Sequence, residues 1–376
     1  MQPGPLTGLT FSGMERDRGG ALARVTLQTV ADRVGVSRMT VSNAFSRPDQ
    51  LSSTLRRRIL DAAAELGYVG PDPAARALAR GTTGAVGVLL TDSLRVAFTD
   101  EVATSFLGAI AEELAPTGLA LTLLTTSTRQ DKAVPARDVA MDGALVYSCE
   151  TRSPALDWLI RRRLPLAYVD QAPAPGIPSV NVEDRSGARA AAQHLVDLGH
   201  RQVGILTAGA DGPYGLVADP HTDPAADTPK QRMLGWLDAL GRAGIRPTVV
   251  RQAPYSVDVD EGARLLLDTD ERPTAVLCFS DAIAYDVVRT AEDLGLRVPA
   301  DLSVVGFDDS PLAGRTRPAL TTVRQDVSAK ARAAVAALTT AIKHERDGTT
   351  GRARHVRLPT ELIVRDSTVA PPTRAG

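Results

Sequence analysis

Residues 27–44 constrain the fold of this 376-residue chain more tightly than any other stretch. Val30, Ala31 and Val34 recur at helical spacing from Leu27, so they share one face of a first helix. Gly35 follows where a tight turn needs a residue tolerant of positive φ. Val36 fills the gap between two helices. Ser37 is suited to cap the second helix, because its hydroxyl accepts from an otherwise unpaired backbone N–H. Val41 and Ala44 face back into the same small core, and a side chain larger than Ala31 would hold the helices apart. Arg38, Met39, Thr40, Ser42 and Asn43 remain on the outer face, a set able to meet base edges and phosphates. The pattern is that of a helix-turn-helix; the competing reading is an ordinary helical hairpin.

A third helix is expected from Ser52, its cap, to Gly67, with Leu55, Ile59, Ala62, Ala63 and Leu66 as the buried stripe. Arg56, Arg57 and Arg58 lie mostly on its wet side. Beside a helix-turn-helix, Arg56 and Arg57 are candidate phosphate contacts rather than only a solvated face. Residues 24–80 hold nine arginines against five acidic residues, a net +4. Residues 1–23 are balanced and the chain totals −1, which leaves −5 on residues 81–376. A basic module on an acidic body suits one end that meets a polyanion.

Residues 69–81 read as a linker in which Pro73 opens and Gly81 closes a short helix. About seven residues are too few for a helix to be stable alone in water, so this element is expected to fold only when supported. From residue 82 the pattern turns α/β. Buried strands are expected at 85–90, 119–124, 143–147, 202–206, 274–279 and 302–307, with helices near 100–115, 230–243 and 281–295. Alternation of this kind implies parallel sheets covered on both faces, and two cycles of it imply two similar lobes. Ligands of such sheets sit off the carboxyl ends of the strands, here in a cleft between the lobes. Residues 211–229, rich in Pro, Asp and Gly, read as a loop or partly disordered insertion.

The chain has 43% apolar residues, enough for a substantial core, and no apolar run long enough for a membrane span. Residues 1–24 read as a flexible arm without the apolar centre of a signal peptide, and Met14 is an alternative start. Two cysteines, Cys149 and Cys278, each follow an apolar run and are expected as buried reduced thiols, which fits the cytoplasm. The five histidines show no zinc-ligand spacing. No nucleophile elbow, phosphate-binding loop or dinucleotide fingerprint is present, so neither an enzymatic activity nor a cofactor is expected.

Five motifs in this order and spacing resemble the lactose/galactose repressor (LacI/GalR) family of bacterial transcription regulators, and the resemblance covers Leu27 to about Ser367. They are Val-Ala-Asp-Arg-Val-Gly-Val-Ser-Arg-Met-Thr-Val-Ser-Asn at 30–43, Ala-Ala-Arg-Ala-Leu at 74–78, and Leu-Gly-His-Arg-Gln-Val-Gly-Ile-Leu at 198–206. The other two are Gly-Leu-Arg-Val-Pro-Ala-Asp-Leu-Ser-Val-Val-Gly-Phe-Asp-Asp at 295–309 and Pro-Ala-Leu-Thr-Thr-Val-Arg-Gln-Asp at 318–326. The resemblance implies a headpiece at 25–68, a linker with a hinge helix at 69–81, and a two-lobed core like that of type I periplasmic binding proteins. Lobe 1 would comprise 82–182 with 319–346, and lobe 2 would comprise 183–318 with 352–368, followed by a disordered tail at 369–376.

By motif position, Arg38, Met39 and Asn43 would read bases, and Thr40 and Ser42 would bind phosphate. Leu78, beside Arg76, would be a minor-groove wedge, unless it packs on the body. The family further implies a homodimer on a pseudo-palindromic operator and a small-molecule effector, a sugar first and a purine or nucleoside second. It leaves open whether the ligand induces or co-represses. Arg232, Asp170, Tyr255 and Asp281 match or neighbour the family's effector contacts; Asp281 is equally suited to cap the helix that follows it. A solute-binding receptor shares the two-lobed fold, but neither the basic headpiece nor the missing signal peptide suits one.

Overall fold

The structure, a computed structural model, describes residues 25–90, 94–125, 135–147, 153–209, 214–221, 226–253 and 260–372. The chain forms two compact units, divided between Gly81 and Thr82.

In the first unit, α1 (Leu27–Val34), α2 (Arg38–Ser46) and α3 (Ser53–Glu65) enclose a core of Val30, Ala31, Val41, Ala44, Ile59 and Ala63. Thr26 caps α1 reciprocally with Thr29, and Gly35 ends it at φ 74°. The turn therefore falls where the glycine spacing puts it. Phe45 meets Tyr68 edge to face at 5.7 Å, which ties the end of α2 to the chain leaving α3. The short helix α4 (Pro73–Arg80) follows, capped by Asp72 and closed by Gly81 at φ 67°.

The second unit begins with β1 (Ala85–Leu90), α5 (Leu94–Thr99), α6 (Glu101–Leu114), β2 (Ala120–Thr125) and α7 (Pro135–Asp138). It continues with β3 (Gly143–Tyr147), α8 (Pro154–Arg161), β4 (Leu166–Val169) and β5 (Ser179–Val182). A second cycle runs through α9 (Asp184–Asp197), β6 (Val203–Ala208), β7 (Gly215–Leu216), α10 (Asp227–Arg242) and β8 (Thr248–Gln252). Then come α11 (Glu261–Leu267), β9 (Ala275–Cys278), α12 (Asp281–Asp293), β10 (Ser303–Val305), α13 (Pro311–Arg315) and β11 (Thr322–Gln325). The chain closes with α14 (Val327–Asp347), β12 (His355–Leu358) and β13 (Thr360–Ile363). One sheet has the order β12-β5-β4-β3-β1-β2, all parallel, and the other β10-β9-β6-β8-β7, parallel except for β7. The strands run as near-continuous apolar stretches because helices cover both faces. Gly235 lets α10 lie directly on α9: a Cβ there would stand 2.3 Å from the Arg185 carbonyl oxygen.

Three segments depart from the sequence reading. Residues 319–325 belong with the second lobe, since Leu320 and Val323 enter its core and β11 pairs antiparallel with β13. Residues 355–358 return to the first lobe, where β12 pairs parallel with β5 and Val356 and Leu358 pack on its core. The chain thus changes lobes near Asp326 and again near Pro359. Alternation by itself does not say which sheet edge a short strand completes. The 211–229 stretch is not only loop: β7 extends the second sheet and α10 starts at Asp227. Cys278 is buried in the second lobe with its thiol pushed well up by burial, whereas Cys149 lies outside the described residues. Among the described residues no helix is long and apolar enough to cross a membrane, and no cluster has the makings of a metal site.

Candidate functional site

The outer face of α2 is built by its caps. The Ser37 hydroxyl accepts from the Thr40 N–H at 3.1 Å and lies 2.8 Å from the Thr40 hydroxyl. This holds the N-terminus of α2 rigid and aims Arg38 and Met39 outward. Met39 is 70% exposed, far more than an apolar side chain needs to be when a core lies one turn away. Asn43 donates from Nδ2 to Gln50 Oε1 at 3.1 Å, so a polar neighbour that the sequence reading left out holds its amide. Thr40 and Ser42 are half-buried beside them. On α3, Arg56 donates from Nε to the Ala44 carbonyl at 3.2 Å, which pins its guanidinium against the end of α2; Arg57 is exposed.

In α4 the Asp72 carboxylate accepts from the Ala74 and Ala75 N–H groups. Leu78 is 87% exposed, Arg76 is exposed, and none of the helix's described residues is buried. The helix has caps and, among its described residues, no buried side chain, and Leu78 is exposed on it.

The second unit holds a buried ionic chain. Arg232, on α10, donates from Nε to Asp184 at 2.9 Å, from one terminal nitrogen to the Phe279 carbonyl at 2.5 Å, and from the other to Asp308 at 3.1 Å. Its guanidinium lies 3.5 Å from the centre of the Phe307 ring. Asp308 also accepts from Gln325 Nε2 at 2.7 Å. Gln325 Oε1 accepts from Lys330 Nζ at 2.7 Å, and Lys330 donates to Asp170 at 2.5 Å. Lys330 is completely buried, and Asp170 Oδ1 has no partner among the described residues. Asp170 and Asp308 stand at φ 54° and 109°, where non-glycine residues are rare. Three carboxylates face two cations. Burial raises the proton affinity of Asp184 and lifts Asp308 to about 6 despite Arg232.

Of the residues singled out by sequence, Asp170 and Arg232 belong to this chain, and Tyr255 lies outside the described residues. Asp281 lies near Asp308 but makes its hydrogen bonds elsewhere. Its Oδ1 accepts from the Thr322 hydroxyl at 2.5 Å and its Oδ2 from the Ser310 N–H at 2.7 Å. The cap of α12 is Ser280. Asp281 thus ties α12 to the loops at 310 and 322, with both oxygens occupied. The motifs at 307–309 and 324–326 carried the signal for Asp308 and Gln325. Lys330 carried none, being a single lysine in an alanine-rich helix.

Next to this chain lies a cavity of about 330 Å3 between α6 and the segments 308–311 and 324–328, with Asp308 and Gln325 in its wall. Burial and the nearby Asp308 lift Asp281 to about 7, against 3.8 for an ordinary aspartate. The folded state therefore binds this proton more tightly than the unfolded chain. The stability it contributes is fully present below about pH 4 and is lost as the pH rises through about 7, at no more than about 1.4 kcal/mol per pH unit. His194 and His200, whose proton affinity burial lowers, act in the opposite direction over part of this range. The difference between D281N and its parent is thus the readout. Urea midpoints between pH 5 and 8 should fall less with pH, or rise more, in D281N; an unchanged slope would place the proton elsewhere.

Comparison with known proteins agrees over most of the chain. The family described as bacterial regulatory proteins, lacI family, matches residues 26–70, and a periplasmic binding protein-like domain matches residues 192–368. An HTH-type transcriptional regulator of Mycolicibacterium smegmatis is 36% identical over 327 residues, covering 83% of this chain and 89% of the relative. The crystal structure of the lac repressor dimer bound to operator and the anti-inducer ONPF is 25% identical with a TM-score of 0.73, covering 92% of this chain and 99% of that one. The complex of the transcriptional regulator CelR with cellobiose is 26% identical with a TM-score of 0.65, covering 92% of this chain and 100% of that one.

Proposed function

The chain belongs to the LacI family of bacterial regulatory proteins, and from that premise we propose that it is a homodimeric repressor, acting in the cytoplasm, whose affinity for a pseudo-palindromic operator is set by a small molecule bound between the two lobes of its core. The observation that carries the DNA reading is the capped outer face of α2, with Met39 and Arg38 exposed at its N-terminal end. In the major groove, Arg38 makes a bidentate contact with a guanine, Asn43 pairs with an adenine, and Met39 covers a thymine methyl. Thr40, Ser42, Arg56 and Arg57 neutralise phosphates, and Leu78 with Arg76 enters the minor groove.

The effector reading rests on the Asp170–Lys330–Gln325–Asp308–Arg232 chain, in which Asp170, Asp308 and Gln325 lie at the carboxyl ends of strands and Arg232 and Lys330 reach them from helices. CelR binds cellobiose in a fold of this kind, and a sugar is accordingly the proposed effector class. An effector that changes operator affinity 100-fold needs about 2.7 kcal/mol of differential binding, within the ordinary range for allostery. The protein carries out no catalytic step in this reading.

The test is a fluorescence-anisotropy titration of the full chain against the DNA upstream of its own gene, at several salt concentrations, with and without sugars and nucleosides. Tight, salt-sensitive binding that one compound alters is the expected result; binding no tighter than to random DNA would overturn the reading. In the same assay Arg38→Ala should cost about 1–3 kcal/mol on the specific site and relax discrimination at one base pair.

A further inference from the structure

The loop that follows α2 holds Asn43 from two sides. The Asn43 carbonyl accepts from the Arg47 N–H at 2.8 Å. The chain then turns back through one 3-10 turn, Pro48–Gln50, in which the Gln50 N–H donates to the Arg47 carbonyl at 3.1 Å. This return sets Gln50 beside a side chain seven residues earlier, where its Oε1 accepts from Asn43 Nδ2 at 3.1 Å. Asn43 is half-buried, whereas Gln50 is exposed and lies outside the headpiece core. Among the described residues nothing else takes up Asn43 Oδ1 or the second hydrogen of Nδ2.

A primary amide carries one acceptor oxygen and two donor hydrogens. One N–H lies on the same side as the oxygen, and the other points away from it. Adenine in the major groove needs the first hydrogen, for N7, together with the oxygen, for the N6 amine. The hydrogen that points away is spare, and Gln50 Oε1 can take it without competing for either adenine contact. The torsion that turns an asparagine amide is soft and roughly two-fold, so a free amide exchanges its oxygen and nitrogen at little cost. The exchanged amide would set oxygen against N7, both acceptors, and nitrogen against the N6 amine, both donors. With Gln50 in place, that exchange requires the glutamine amide to turn over in step.

We propose that Gln50 is a positioning residue for base recognition: by accepting from Asn43 Nδ2 it fixes which end of the Asn43 amide donates, and so sets the preference for adenine at the base pair that Asn43 meets. This deepens the operator reading and rests on Asn43 being a base contact. Gln50 acts through Asn43 and reads no base of its own.

The test is selection of bound duplexes from a randomised library by the full-length protein, with sequencing of the bound fraction to give the preference at every position. Asn43→Ala marks the base pair that Asn43 reads, as the position where adenine is no longer preferred. Gln50→Met, of similar length but without an amide, should narrow the preference for adenine at that same pair by about threefold or more, the size of one modest hydrogen bond, and leave the other positions unchanged. Gln50→Glu offers only acceptors, so it should keep that preference or sharpen it, while its negative charge lowers affinity for all sequences alike. In the double variant N43A/Q50M the preference at this pair should equal that of N43A. Circular-dichroism melting establishes that each variant is folded. A Q50M variant with the preference intact overturns the proposal, as does a Q50E variant that loses it. A Q50M effect that persists without Asn43 overturns it too, because Gln50 would then be a base contact itself. If N43A loses discrimination at no position, the reading of Asn43 falls and this inference with it, while a library still sorted by the parent protein leaves operator binding standing. A parent protein that enriches no sequence overturns both.

Discussion

Leu78→Ala is expected to lower affinity for the specific operator by on the order of 100-fold while leaving affinity for random DNA within a few-fold of the parent. The side chain is 87% exposed on a helix with no buried face among its described residues, so its removal leaves no cavity and the headpiece core of Val30, Ala31, Val41, Ala44, Ile59 and Ala63 is untouched. In the wedge reading its apolar surface becomes buried only against bases. Truncating leucine to alanine forfeits about 1.5 kcal/mol of that burial per subunit, and two subunits give about 3 kcal/mol, or roughly 100-fold. Non-specific binding draws on arginines and phosphates, which the substitution leaves alone. Anisotropy titrations on operator and scrambled duplexes at one salt concentration measure both. Equal loss on the two duplexes would refute the wedge and return Leu78 to an ordinary packing role.

Arg232→Ala should have the larger effect on the core. It removes the partner of Asp184 and Asp308, both buried, together with the cation stacked on Phe307. Breaking a buried pair from one side typically costs about 3–5 kcal/mol, because the remaining charge is left uncompensated. Part of that cost is relieved by protonation, since Asp308 already titrates near 6. The variant should therefore lose more stability at pH 8 than at pH 5, as seen by urea unfolding. Its DNA binding in the absence of ligand should stay near that of the parent, because the headpiece has its own core. Its response to the effector should vanish. A response that survives at a temperature where the variant remains folded would remove Arg232 from the effector site.

The two predictions differ in how their residues come to light. Everything that shapes α2 and its outer face lies within eighteen residues: the positive φ of Gly35, the Ser37 cap, the small Ala31 and the outward run from Arg38. Local rules of spacing and capping suffice there, and the motif that contains Leu78 is equally short. The Arg232 chain draws on residues 170, 184, 232, 308, 325 and 330, which no periodicity connects. Sequence reasoning reached Arg232 and Asp170 through motifs. It passed over Lys330, since nothing in an alanine-rich stripe marks one lysine as the member that turns inward. Asp281 shows the converse. Its place after a strand suggested the cleft, but Thr322 and Ser310 occupy both its oxygens.

The lobe boundaries divide in the same way. That the core has two α/β lobes follows from alternation, because strands covered on both faces must be apolar throughout. Which lobe each returning segment joins does not. The return of β12 to β5 and the pairing of β11 with β13 depend on which edge has unpaired backbone groups to satisfy once the chain has crossed near Asp326. By itself, then, the sequence determined the headpiece, the capped short helix and the α/β class, because each depends on neighbours within a few turns. Only the tertiary structure decided the members of the ionic chain and the role of Asp281. Burial converts those charges into obligations, and the partners that meet them come from distant parts of the chain.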